Sequence, residues 1–137
     1  MFLIISGTTW QHVHGPEPLP WFSELTGAYR LQPIPLTPRA RLWLHDHQPA
    51  THDYGNALAS ALTVLFGCQT GPVFGPACLT SHHREYGARG LDPAQTTAFT
   101  QVLTALTNPT TLSRHRMACR LAASWHSPDT EETGRCS

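Results

Sequence analysis

Ala28-Tyr-Arg-Leu-Gln32 and Ala40-Arg-Leu-Trp-Leu-His45, then the polar turn Asp46-His-Gln-Pro49, a segment headed by Asn56 and the apolar run Pro72-Val-Phe-Gly-Pro-Ala-Cys-Leu-Thr80, form the stretch that decides the fold. In the second run Leu42 and Leu44 alternate with Arg41, Trp43 and His45, the period-two pattern of a strand with one face on a core. Pro33, Pro35 and Pro38 stand between the two runs, and each lacks a ladder donor. Pairing is therefore expected to stop near Gln32 and resume near Ala40, across a connection wider than a tight hairpin. The Asn56 side chain can accept an otherwise free helix N–H. Leu58, Ala61, Leu62 and Leu65 then share one helical face, and Gly67 supplies the stop. The apolar run that follows reads as a strand, with Gly75-Pro76 marking a bulge or an edge position.

Toward the N-terminus, Phe2–Ser6 is a continuous apolar and β-branched run suited to a strand covered on both faces. It lacks the basic flank and the length of a signal peptide or membrane span. Gly7 to Pro20, with its prolines, glycines and His12-Val-His14, reads as a loop. Pro20 opens a short helix through Trp21, Phe22 and Leu25, which Gly27 ends. Toward the C-terminus, Asp92-Pro-Ala-Gln95 combines an N-cap, a first-turn proline and a capping-box glutamine. Phe99, Val102, Leu103 and Leu106 repeat at helical spacing until Asn108-Pro109. Leu112 to Trp125 predicts a last helix, through Met117, Leu121 and Trp125.

These elements predict an α+β fold: a small, largely antiparallel sheet of about four strands packed against two or three amphipathic helices. Residues 1–110 form a single domain, 111–126 a basic amphipathic helix, and 127–137 a polar tail expected to be disordered. The 137-residue length fits one domain, and a domain of this size buries roughly two-thirds of the surface of its unfolded chain.

All nine basic residues are Arg. Net charge is −1 over residues 1–110, +3 over 111–127 and −2 over 128–137. A neutral body argues against a broad footprint for nucleic acid or anionic membrane. Cys68, Cys78, Cys119 and Cys136 show no C-x-x-C spacing, so reduced thiols and a cytoplasmic location are the expectation.

The block Gly27-Ala-Tyr-Arg-Leu-Gln-Pro-Ile-Pro-Leu36, then Leu42-Trp-Leu-His-Asp-His47, Asn56-Ala-Leu-Ala59 and Gly71-Pro-Val-Phe-Gly-Pro-Ala-Cys-Leu-Thr80 resembles an uncharacterised family, domain of unknown function 3846, found in phages, plasmids and actinobacteria. The resemblance covers residues 27–80. It implies a strand pair, an acidic turn, an Ala-rich helix headed by Asn and a Gly-led apolar strand, in a mobile-element setting, and it implies no reaction. This chain has Ala28 where the family carries a second glycine, and His45-Asp-His-Gln48 where it carries a Glu-Glu-Gly-Lys-like turn.

The sharpest chemical cluster is His45, Asp46, His47, His52 and Asp53. Imidazole and carboxylate are the ligands Zn²⁺ and similar ions take, and an open coordination position can activate water. His45, His47 and His52 are the candidate metal ligands, with His12 and His14 as further partners if their strands adjoin. Against this, the segment reads as a polar loop in a chain with nine histidines, most of which are simply solvated. His82-His-Arg-Glu-Tyr86 offers a base, a cation and a phenol after a strand, with no spacing that demands a mechanism. Arg114, Arg116 and Arg120 make a small basic patch, few charges for phosphate-dominated binding. Nucleophile-elbow, P-loop and dinucleotide motifs are missing, and no motif asks for a cofactor.

The sequence thus favours a small soluble non-enzymatic accessory or binding protein of phage or mobile-element origin, acting through a protein partner. The alternatives are a metal-dependent hydrolase built on the His/Asp cluster and a DNA-binding regulator using the C-terminal helix.

Overall fold

Phe2–Ser6 forms strand β1, and every residue from Phe2 to Ile5 is buried, because both faces of the strand are covered. The computed structural model describes residues 1–15, 17–26, 30–45, 55–68 and 71–125. Strand β2 (Thr9–Val13) follows at once, antiparallel to β1 with Ser6 opposite Thr9 and Phe2 opposite Val13. The stretch expected as a loop therefore holds an edge strand. Gly7 has φ +60° while Thr8 has a negative φ, the signs of a type II′ turn, which suits the twist of a two-residue hairpin.

Helix α1 (Pro18–Thr26) starts two residues before the expected proline. Pro18 and Pro20 both sit in its first turn, where N–H groups have no helical acceptor. Strands β3 (Leu31–Thr37) and β4 (Ala40–His45) then pair from Leu31 opposite His45 to Thr37 opposite Ala40, with a bulge between Pro35 and Thr37. The expected gap in pairing does not exist. β3 is an edge strand, and Pro33 and Pro35, two residues apart, turn the same side of the backbone outward, so no ladder donor is lost.

Helix α2 (Ala57–Leu65) is buried from Ala57 to Thr63, and Gly67 at φ +76° follows its end. Leu65, expected on the packed face, is 56% exposed in the last turn. Strand β5 (Ala77–His83) is the central strand, not an edge. Gly75 and Pro76 precede it, and β6 (Gly87–Arg89) pairs with its end. Helix α3 (Pro93–Leu106) carries the full capping box, with Gln95 N–H donating to Asp92 Oδ1 and Asp92 N–H to Gln95 Oε1. Helix α4 (Pro109–Trp125) begins under Asn108, whose side chain accepts from Thr110 and Thr111.

The sheet order is β2-β1-β5-β4-β3, with β6 off the path beside β5 and every pair antiparallel. The α+β class stands, with more strands than expected. Leu3, Ile5, Leu42, Leu44 and Leu79 meet Leu58 and Leu62 of α2 and Phe99 and Leu103 of α3 on one face. Phe2, Ile4 and Cys78 meet Phe22 of α1 on the other. Leu112 of α4 packs against the larger core and the helix lies on α2. Met117 and Leu121, expected as its packing stripe, are 53% and 56% exposed.

Asn56 ties these layers together. Its Nδ2 donates to Ile5 O and Gly75 O, both at 2.8 Å, and its Oδ1 accepts from Ala59 N–H at 3.0 Å. Ser60 Oγ donates to Asn56 O and accepts from Val73 N–H, which closes the polar knot.

Candidate functional site

Among the residues the sequence singled out, His45 is the last residue of β4, at the register position opposite Leu31. Asp46, His47, His52 and Asp53 lie outside the described residues. His12 lies in β2 opposite Leu3, on the face that carries α2 and α3, and its Nε2 is 3.4 Å from Thr100 Oγ1 of α3. His14 is exposed just past the strand. The register separates this pair from His45. Leu3 faces Leu79, Leu79 faces Leu42, and His45 is three residues further along β4. Three strand spacings of ~4.8 Å and three rises of ~3.4 Å place the His12 and His45 backbones about 17–18 Å apart. That is further than two imidazoles reach around one ion held at ~2.0–2.1 Å. A centre joining His12 and His14 to His45 is therefore ruled out by topology, and no group of three or more His, Cys, Asp or Glu side chains converges among the described residues.

Of the basic patch, Arg114 is exposed on α4, and the side chains of Arg116 and Arg120 lie outside the described residues. Burial, then the charge of Arg114, holds His115 below the usual imidazole range. Cys78 is shut in the smaller core, and burial pushes its thiol far above the range in which a thiolate nucleophile forms. On the same face Trp43 Nε1 donates to Thr80 Oγ1 at 3.0 Å, which fixes the indole against the sheet.

The hairpin joining β5 to β6 gathers side chains of another kind. His83 pairs with Gly87, and Gly87 at φ +73° closes the three-residue loop Arg84-Glu-Tyr86 by taking the left-handed conformation such loops use. Tyr86 is 64% exposed, yet its ring is held on two sides. The His83 ring meets it edge-on with centroids 6.4 Å apart, and Arg89 Cζ lies 5.3 Å from its centroid. A cation over a ring face is attracted by the ring quadrupole. Ser81 lies opposite Arg89, and Ser81 faces Ala40 of the larger core, so His83 and Arg89 project on the side of α3. The sequence showed His82 to Tyr86 as a string of polar residues. It did not show Arg89 joining them, because that contact depends on the β5–β6 register.

The chain matches no protein-family model, no curated protein and no solved structure. No helix among the described residues is long and apolar enough to cross a membrane.

Proposed function

We propose that this chain is a small accessory protein that works by binding a protein partner, in the phage or mobile-element setting that the sequence resemblance over residues 27–80 implies. One observation carries the reading. Tyr86 stands out from the hairpin with its ring oriented by His83 and Arg89, so a large contact surface is offered with little side-chain freedom left to lose on binding. Tyr and Arg are the residue types that dominate binding energy at protein interfaces. The rest of the hairpin sets the partner's chemistry. Arg84 and Arg89 outnumber Glu85, so the fitting surface offers an apolar socket for the phenol ring with carboxylates at its rim.

The test is affinity capture from the native host with wild-type protein and with Tyr86→Ala and Arg89→Ala, each checked for an unchanged unfolding midpoint. A protein recovered in stoichiometric amount with wild type should lose at least tenfold in yield with Tyr86→Ala, the scale of a hot-spot residue at about 1.4 kcal/mol or more. Capture indifferent to both substitutions would overturn the reading. So would stoichiometric zinc, manganese or iron in untagged protein that disappears on His47→Ala, which is the signature of the hydrolase alternative.

A further inference from the structure

The two edges of the sheet are finished differently. At β3, Pro33 and Pro35 remove outward donors, a device that keeps an edge from templating another strand. At β2 no such device exists: Thr9-Trp-Gln-His-Val13 contains no proline, no glycine and no Arg, Asp or Glu, and no strand among the described residues covers its outer side. An edge strand turns half of its backbone N–H and C=O groups outward, so β2 presents an open ladder five residues long.

We infer that β2 pairs antiparallel with β2 of a second copy of this chain, about a two-fold axis at Gln11, which makes one continuous sheet through both molecules. The self-complementarity of the strand argues for this occupant. With Gln11 opposite Gln11 of the second copy, Trp10 falls opposite His12 and Thr9 opposite Val13. Each pair lies on one face of the sheet, since Trp10 and His12 stand opposite Ile5 and Leu3 of the larger core and Thr9 and Val13 opposite Ser6 and Phe2. The symmetric arrangement thus sets aromatic against imidazole, β-branched against β-branched and amide against amide, with no like carboxylate or guanidinium charges directly opposite one another.

A two-fold interface also brings every charge near its axis close to an identical charge. Among the described residues, β2 itself and the helix beside it bring none. α3, tethered beside β2 by the His12–Thr100 contact, has no charged residue from Pro93 to Leu106. Its exposed residues include Thr97, Gln101 and Thr104. Trp10, only half-buried although it packs on the main core, would be covered by the second copy. This surface is distinct from the Tyr86 hairpin, so the pairing goes beyond the partner-binding reading and can fail or hold without it.

The experiment is sedimentation velocity across a concentration series on wild type, Gln11→Lys, Gln11→Glu and an equimolar mixture of the two variants. Gln11 is exposed, so either charge leaves the protomer intact but faces its own copy across the axis. Wild type should sediment at twice the chain mass, each variant alone at the single-chain mass, and the mixture should return to twice that mass as Lys meets Glu. Wild type at single-chain mass throughout would overturn the inference. A dimer indifferent to both substitutions, or a mixture that fails to recover, would overturn it equally.

Discussion

Every polar atom of the Asn56 side chain is engaged inside the protein, and its partners come from β1, from α2 and from the turn before β5. The residue type at the head of the helix identified Asn56 as a cap, because a cap is a local event. The donations to Ile5 and Gly75 are not local, so nothing near Asn56 in the sequence announced them. Asn56→Ala should cost roughly 2.5–8 kcal/mol, the sum of a lost cap and two buried carbonyls left without this donor. The urea midpoint measures it, and a loss under about 1 kcal/mol would show that the carbonyls find other partners. His115 gives the residue scale its pH dependence. Its folded-state value is lowered from 6.5 by burial and then by Arg114, so the unfolded chain binds the proton more readily. The associated stability is present above 6.5 and falls as pH drops below it, levelling off once the folded state is protonated too. Urea midpoints at about pH 7.5 and about pH 5 should converge in His115→Gln relative to wild type, since the substitution removes a titrating group.

At the scale of elements, helices were legible because cap, stripe and stop lie within one segment. Asp92, Gln95, Phe99 and Leu103 occupy the places their spacing predicts. Strands were less legible, because an edge strand is defined by what is missing beside it. β2 buries little, so its alternation is weak, and β3 hides behind prolines that are acceptable only at an edge. Those prolines have a measurable purpose. Replacing both Pro33 and Pro35 by Val should restore two outward donors in a β-prone strand and raise the rate of aggregation on warming, read by light scattering, without lowering the urea midpoint. Unchanged light scattering would mean that the edge is guarded by something other than proline.

For the whole molecule, the class of fold followed from local signals, whereas the strand order followed from none of them. Sequence neighbours pair at β1–β2, β3–β4 and β5–β6, but β5 inserts between β1 and β4. That insertion is also what parts His12 and His14 from His45: they look joinable only while their strands are free to be placed side by side. The hairpin carrying Tyr86 exists because β5 runs past β1 far enough to take β6 as a second partner. The same insertion has a consequence for the protein during its synthesis. Ile5 finds Ala77 only after the chain between them has been made, which takes roughly 4–14 s at translation rates of ~5–20 residues per second. Until then Phe2-Leu-Ile-Ile5 has β2 as its one sheet neighbour, and its other edge stays open. The local Gly7 hairpin thus closes one edge of β1 early, and the other edge waits for β5.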